Sequence, residues 1–435
     1  PFFVERVRHD TLSTQAVWSA LRLRMGARDI RIRRLDERAL MHLEFLLSAG
    51  LHQLENGRRP RVAVISDLPR LSPAEALEDY HKKGLIPPSG ADVYSQLKEL
   101  LSNNLYDVQH INPKDPILPP KSDVMLWMQP RRNSTPVIDL LSAHLQQGKK
   151  SIVALQHFNI QQRQYRGNGF QTVYWPQPQF QDFDRFSQLY GVEQVREVLF
   201  DRTQSHLDLE TQVNRTAVRE YDAQQVALPF LIRAVAPNYR RQSALTRHLG
   251  DLLFIWGNRF ALDRQRLAEI GMDAQVLIST SERSWAYAWS GGWLPPDVFS
   301  SSDYLQGTQP LAVQLTGPFD RARFSEDAEG RSQIKLGEKA QDAGQLLLVG
   351  SSEMFKNEYL YAAGFQHDQF LLNAVAHMAY GEALAELQAR RPVSRGFAFQ
   401  NPQAKSAWRA VSIGLAPLLF ALYGAVRLRR LRGGS

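Results

Sequence analysis

Three residues of the types that form hydrolase triads occur at comparable points of the chain. Asp67, His157 and Ser351 each lie at or just after the end of a short apolar run. A serine, a histidine and a carboxylate joined by hydrogen bonds can cleave an ester or an amide. However, Gly350-Ser351-Ser352-Glu353 lacks the second glycine of a nucleophile elbow. We therefore interpret the hydroxyls of Ser351 and Ser352 as helix caps. Asp67 and His157 are interpreted as hydrogen-bonded loop residues.

Phosphate and metal chemistry are not indicated by the sequence. The segment 148–151 (GKKS) lacks the upstream glycine of a P-loop and precedes a predicted strand, whereas a P-loop precedes a helix. His42 and His52, and likewise His367 and His377, are ten residues apart, too far along a helix to share one ion. The absence of cysteine excludes disulfides, thiolate zinc sites and a cysteine nucleophile. We predict no catalytic residue, no metal and no cofactor.

A cluster of hydroxyls beside a tryptophan offers a different chemistry. The segment 279–285 (STSERSW) follows an apolar run and ends in Trp285. It predicts either a polar binding rim next to an aromatic side chain, or capping hydroxyls around a core tryptophan. The weak candidates for ligand or partner binding are Asp67, Gln129, His157, Ser281, Trp285 and Ser351.

The elements that must position these residues alternate between short apolar runs and amphipathic segments. This order predicts an α/β fold with a doubly wound, mostly parallel sheet, and ligands would sit at the carboxyl ends of its strands. Strands are predicted at 61–66, 106–111, 123–128, 151–155, 251–263, 274–279, 310–315 and 345–350. Helices are predicted at 94–101, 134–147, 264–270 and 366–380, and residues 11–57 are predicted to be mostly helical.

Seven regions follow from these patterns. In chain order they are a helical lead-in that forms an incomplete leading domain (1–57), the first half of the α/β domain (58–158), an insertion or subdomain (159–245), the second half of the α/β domain (246–381), a linker (382–407), a transmembrane helix (408–427) and a basic tail (428–435).

The predicted transmembrane helix is an apolar run of 17 residues from 410 to 426. At about 1.5 Å per residue it spans roughly 25 Å, close to the thickness of a hydrocarbon core. The flanking residues expected to anchor it at the two interfaces are Trp408, Arg427, Arg429 and Arg430. The residues expected to let it pack closely on another membrane helix are Gly414, Pro417, Ala421, Gly424 and Ala425.

Charge and composition limit the partners. The 435 residues carry a net charge of +8, much of it in local arginine clusters. No basic stripe is interleaved with stacking aromatics, so we do not expect nucleic-acid binding. Membrane lipids are the expected partners of the basic tail. By the positive-inside rule, that tail is predicted to lie in the cytoplasm and the body before the span in the periplasm of a bacterium.

Several segments together resemble the auxiliary subunit of gliding-motility-type ABC transporters. They are residues 44–67, residues 119–158 with the turn Gly148-Lys149-Lys150, residues 276–285, residues 346–357, residues 368–376 with Asn373, and the C-terminal span with its basic tail. The resemblance implies a sheet similar to class I glutamine amidotransferase-like folds from which the catalytic residues have been lost. Family members usually carry an N-terminal span and a fuller leading domain. The lead-in at 1–57 is expected to differ from this pattern.

The resemblance also implies a function. It predicts a non-enzymatic, membrane-anchored accessory subunit of the bacterial inner membrane, with partners that are a multi-span ABC permease and a cytoplasmic ATPase. An envelope or cargo partner is a further expectation. Two alternatives stay open from the residues alone. One is a periplasmic ligand-binding or sensing module that uses Trp285 and the rim from Ser279 to Ser284, and the other is a membrane-anchored hydrolase that uses Asp67, His157 or Glu353.

Overall fold

A computed structural model of the chain describes residues 2–390, except for 9–10, 18, 34, 67–91, 132–133, 167–169, 204–227, 300–305 and 327–331. Its helices are α1 (Glu37–Met41), α2 (Leu43–Asn56), α3 (Ser95–Asn103), α4 (Thr135–Gln146), α5 (Phe183–Leu189), α6 (Arg264–Glu269), α7 (His367–Tyr380) and α8 (Glu382–Ala389). Its strands are β1 (Phe2–Arg8), β2 (Thr11–Val17), β3 (Leu21–Met25), β4 (Arg28–Ile32), β5 (Arg61–Ser66), β6 (Asp107–Ile111), β7 (Val124–Met128), β8 (Lys150–Ala154), β9 (Phe158–Arg166), β10 (Phe170–Pro178), β11 (Val192–Gln194), β12 (Val198–Asp201), β13 (Leu231–Ala234), β14 (Leu252–Ile255), β15 (Phe260–Leu262), β16 (Asp273–Ser279), β17 (Ser284–Tyr287), β18 (Pro310–Pro318), β19 (Ala322–Glu326), β20 (Ser332–Leu336) and β21 (Ala343–Val349).

A seven-stranded sheet with the order β16-β18-β21-β8-β7-β5-β6 forms the centre of the fold. Strands β21, β8, β7, β5 and β6 pair in parallel. Strand β18 is antiparallel to β21, and β16 is antiparallel to β18. The prediction of an α/β fold with a mostly parallel central sheet is therefore confirmed.

Both faces of this sheet are buried, which explains why its strands are almost uniformly apolar. In β5, Val62 and Val64 pack in one core cluster with residues of α2, α3 and α7. Ala63 and Ile65 point to the other face and pack with residues of α4, α5 and α6. Helices thus cover both faces, as expected for a doubly wound sheet.

Glycines end two of the helices that pack on the sheet. Gly57 has a φ of 72° and caps α2, and Gly148 has a φ of 73° just after α4. Both conformations are left-handed, which glycine adopts without steric cost. The turn at Gly148 delivers the chain directly into β8.

The prediction that residues 11–57 are mostly helical was wrong for the first part of this range. Residues 11–32 contain strands β2, β3 and β4, and helices begin only at Glu37. Strands β3 and β4 pair as an antiparallel hairpin across the turn at Gly26, whose φ is 60°. The leucines at helical spacing, from Leu40 to Leu54, belong to α1 and α2.

A third apolar cluster lies under smaller two-stranded sheets. It contains Phe158, Phe200, Phe230 and Trp285 from strands and loops that include the pairs β12–β17 and β13–β14. Part of it comes from residues 159–245, which were predicted to be an insertion. Residues 320–340, which their polar sequence predicts to form a hairpin or a loop, contain the antiparallel pair β19–β20.

Some predictions concern residues outside the described part of the chain. The transmembrane helix at 408–427, the linker from 391 onwards and the basic tail all belong to this group. Among the described residues, no helix has the length and apolar character needed to cross a membrane.

Candidate site at the carboxyl edge of the sheet

The carboxyl ends of four parallel strands lie level at one edge of the sheet. The register pairs Ser66 of β5 with Met128 of β7, Met128 with Ala154 of β8, and Ala154 with Val349 of β21. Irregular segments follow β7, β8 and β21. This is the edge at which a doubly wound sheet binds ligands.

The structure places three predicted site residues at this edge. Gln129 follows β7, His157 comes three residues after β8, and Ser351 comes two residues after β21. All three are buried. Asp67, predicted to join them, lies outside the described residues.

Gln156 connects three segments at this edge. Its Nε2 atom donates to the carbonyl oxygens of Phe158 at 2.8 Å and Trp256 at 3.2 Å. Its Oε1 atom accepts from the backbone N–H of Ser352 at 3.1 Å. Gln156 is completely buried, so these bonds satisfy backbone groups that water does not reach.

Asn258 makes a second set of such bonds. Its Nδ2 atom donates to the carbonyl oxygens of Leu155 at 3.2 Å and Gly350 at 3.0 Å, and its Oδ1 atom accepts from the His157 N–H at 3.1 Å. The backbones approach closely here, because a Cβ atom on Gly350 would lie 2.3 Å from the Asn258 carbonyl oxygen. Glycine is therefore required at position 350 by space.

The serine and histidine of the candidate triad do not form a nucleophile and base pair. Ser351 Oγ donates a 3.0 Å hydrogen bond to the carbonyl oxygen of Ile255. The His157 ring packs edge-on against Phe158 at a centroid distance of 5.4 Å. A nucleophilic serine needs its base within hydrogen-bond reach, and among the described residues the Ser351 hydroxyl is instead bonded to a backbone carbonyl.

The electrostatic environment of His157 disfavours protonation. Burial, together with the positive charge of Arg196, lowers the pKa of His157 to about 4. The ring is thus neutral at pH 7. A general base works best with a pKa near the working pH, so His157 is poorly tuned for that role.

Glu353, the alternative acid, is engaged in a local ion pair. Its carboxylate is 4% exposed and pairs with the ammonium of Lys356, one turn further along the 3-10 helix region. The carboxylate charge is thus compensated by a neighbour in sequence. The Glu353–Lys356 ion pair is therefore interpreted as structural.

Two residues at this edge have backbone conformations that are unusual for their type. Gln129 and Trp256 have φ values of 52° and 50°. Among the described residues that are not glycine, only Leu105 and Lys121 share a positive φ. Such strain concentrates at functional sites. In addition, both side-chain atoms of the Gln129 amide are buried without a hydrogen-bond partner in the described structure.

The hydroxyl cluster near Trp285 is part of the core. Trp285 is 1% exposed, stacks on Phe200 at 5.4 Å and donates to the Val298 carbonyl oxygen at 2.9 Å. Ser281 donates from Oγ to the buried carboxylate of Asp201 at 2.6 Å. Trp285 therefore does not line a binding rim, and the capping interpretation fits the geometry.

No metal site accompanies these residues. Within the described ranges, no group of three or more histidine, aspartate or glutamate side chains is placed to hold an ion.

Sequence reasoning missed Asn258 and the bonding role of Gln156. Asn258 lies in the turn between β14 and β15, far in sequence from the strand ends that it joins. The available signal was the sequence Trp256-Gly257-Asn258, which interrupts the segment predicted as one strand over 251–263. The predicted membrane-helix residues, Gly414 to Arg430, lie outside the described part of the chain.

The structure is thus that of an α/β protein with a central, mostly parallel sheet, whose carboxyl edge is held by bonds between buried polar side chains and the backbone. A family model for an auxiliary component, described as ABC-type uncharacterized transport system, matches residues 59–374. The chain belongs to this family, as its resemblance indicated. A comparison with curated proteins gives no match.

Proposed function

We propose that this protein is a non-enzymatic, membrane-anchored accessory subunit of an ABC transporter of the gliding-motility type. Its body lies in the periplasm and docks on a multi-span permease, which a separate cytoplasmic ATPase drives. The family match carries this proposal, because the matched residues 59–374 include every strand of the central sheet.

The geometry of the carboxyl edge supports a role without catalysis. Gln156, Asn258 and Ser351 bond to backbone groups of neighbouring segments, which stiffens the edge. The absence of cysteine is consistent with the proposal that the sheet is related to class I glutamine amidotransferase-like folds that have lost their catalytic residues.

The membrane attachment is proposed to come from residues 408–427, with the basic tail in the cytoplasm. In a helix with 100° between residues, Gly414, Ala421 and Ala425 share one side, and Leu419 lies on the other. Small residues on one side allow a close approach to a permease helix.

Affinity purification of the full chain from membranes in mild detergent tests this function. We expect a multi-span permease and an ATPase to be recovered with it, as identified by mass spectrometry. Gly414→Leu is expected to reduce that recovery while the chain stays in the membrane fraction. The matched control Leu419→Ala should leave the recovery unchanged. A chain that is always recovered alone would contradict the proposal.

A ligand-sensing body is the second candidate, and one observation favours it. The Gln129 amide is buried without a partner at the ligand-binding edge of the sheet, on a residue with a left-handed backbone. A ligand that bonds to this amide would satisfy both of its polar atoms. Binding of a small molecule that is lost in Gln129→Leu, with unchanged recovery of the permease, would establish this role.

A further inference from the structure

The opposite edge of the sheet contains a cleft that is rich in positive charge. It lies at the amino ends of β5 and β6, beside the β3–β4 hairpin and the C-terminal ends of α2 and α3, and its volume is about 520 Å³. Six cationic side chains line it: Arg31, Arg33, Arg58, Arg59, Arg61 and Lys121. We call it the basic cleft.

Three of these cations are paired with carboxylates, although Arg31 shares Asp29 with Arg22. Arg58 forms a two-pronged pair with Asp123, at 2.6 and 2.7 Å. Arg61 donates from Nε to Asp107 at 2.8 Å. Arg31 lies 3.6 Å from Asp29. These pairs hold the walls of the basic cleft.

The other three cations have no carboxylate partner among the described residues. Arg33 and Lys121 are exposed, and Arg59 is half-buried. The end of α2 does not account for these charges, because Arg28 is the side chain that donates to its last carbonyls, at Leu54 and Glu55. The basic cleft therefore holds an excess of positive charge in a concave space.

Two further features of this cleft are consistent with a binding site. Leu105 and Lys121, which line it, have φ values of 69° and 60°, a conformation that costs energy outside glycine. The hydroxyl of Tyr106, also in the lining, is buried without a hydrogen-bond partner in the described structure, and the residue is 2% exposed. A ligand in the cleft could supply the hydrogen bond that a buried hydroxyl ordinarily makes.

We propose that the basic cleft binds a phosphate-bearing anion. Guanidinium groups match the geometry of phosphate oxygens, and three unpaired cations suit a group with two or three negative charges. The volume falls in the range of small-molecule sites, about 300–1,000 Å³, and suits a headgroup-sized ligand. An extended acidic segment of another protein would need a longer groove. The phosphate can belong to a lipid headgroup or to a free phosphorylated solute.

Calorimetry on the full chain in a neutral detergent tests this site with two probes. The first is inorganic pyrophosphate. The second is phosphatidylglycerol in mixed micelles, compared with phosphatidylcholine, which has no net charge. Saturable binding of pyrophosphate alone would assign a free solute, and binding of phosphatidylglycerol alone would assign a lipid headgroup. Either result supports the proposal, and both should weaken as salt rises.

Variants then locate the binding in the basic cleft. Lys121→Gln and Arg59→Gln are each expected to weaken binding by about tenfold. Arg264→Gln removes an exposed charge on α6, outside the cleft, and should leave affinity unchanged. Lys121→Arg keeps the charge at an exposed position and should retain binding, which separates loss of charge from loss of folding.

Three results would overturn the proposal. The first is no binding of either probe. The second is wild-type affinity in both Lys121→Gln and Arg59→Gln, which would place the anion elsewhere, for example on the basic tail. The third is tighter binding of hexaglutamate than of pyrophosphate, which would assign the basic cleft to an acidic protein segment.

Discussion

The Gln156 side chain bonds to Ser352 across the sheet edge, because its Oε1 atom accepts a 3.1 Å hydrogen bond from the Ser352 backbone N–H. The two residues follow the neighbouring strands β8 and β21 and are 196 positions apart in sequence. The Nε2 atom of the same amide bonds to the carbonyl oxygens of Phe158 and Trp256. One buried side chain thus satisfies backbone groups of three segments.

Replacing this amide tests whether the edge is structural. Gln156→Leu leaves one buried donor and two buried acceptors without their partner. We expect it to lower the free energy of unfolding by about 2–4 kcal/mol. Urea titration of the full chain, followed by circular dichroism, measures the change. The control is Gln265→Leu on the exposed face of α6, which should change this free energy by less than about 0.5 kcal/mol.

The backbone conformation of Gln129 predicts that glycine is more stable than alanine at this position. Its φ of 52° is left-handed, so Gln129→Gly should be more stable than Gln129→Ala by about 1 kcal/mol. Gln188, an exposed residue within α5, is the matched control, because alanine should there be more stable than glycine by about 1 kcal/mol. The two pairs of unfolding free energies should therefore differ in opposite directions. The same sign at both positions would contradict the assigned conformation.

The central sheet could be predicted because its signal is local. Residues such as Val62 to Ile65 form a run without polar side chains, and both sheet faces bury it. In a parallel sheet the carboxyl ends of the strands share one edge, so the sequence order is enough to bring Gln129, His157 and Ser351 to the same side.

The bonds within the site could not be predicted, because they join distant segments. Gln156 meets Trp256 across 100 positions, and nothing in either sequence neighbourhood indicates the pairing. The N-terminal hairpin is a different kind of error. Leu21-Arg22-Leu23-Arg24 alternates with a period of two, which is typical of a strand. The helix prediction depended on the leucine spacing from Leu40 to Leu54, and that pattern does not include these four residues.

The Ser281 hydroxyl is predicted to stabilise the fold through its hydrogen bond to the Asp201 carboxylate. Asp201 is completely buried and accepts bonds from Ser281 Oγ at 2.6 Å, Ser281 N–H at 2.7 Å and Thr203 N–H at 2.8 Å. Ser281→Ala removes one bond to a buried carboxylate and should cost about 1.5–3 kcal/mol of unfolding free energy. The exposed Ser290→Ala is the control and should cost less than about 0.5 kcal/mol. An unchanged stability in Ser281→Ala would revive a ligand-contacting role.

The buried ring of His367 predicts how stability depends on pH. Its Nε2 atom accepts from the Leu253 N–H at 2.9 Å, so the proton is on Nδ1, which lies 2.7 Å from the Tyr359 carbonyl oxygen. Burial lowers the pKa of His367 to about 4. The unfolded chain, with an ordinary histidine pKa near 6.5, binds more protons than the folded chain between these two values. The contribution of His367 to stability is therefore complete above about pH 6.5 and falls as the pH drops towards 4.

Replacing this ring should change the pH profile in one direction. His367→Leu leaves the Leu253 N–H and the Tyr359 carbonyl without a partner and should cost about 2–4 kcal/mol at pH 7. Because the variant has no group to protonate at this position, its deficit relative to the wild type should shrink by up to about 1.4 kcal/mol per pH unit between pH 6.5 and 4. Urea titrations at pH 7, 6 and 5 measure this difference. His248→Leu, at an exposed position, is the matched control and should change stability by less than about 0.5 kcal/mol at pH 7. A deficit that is constant from pH 7 to 5 would show that the folded ring takes up its proton as readily as the unfolded one, against the buried, neutral arrangement of His367.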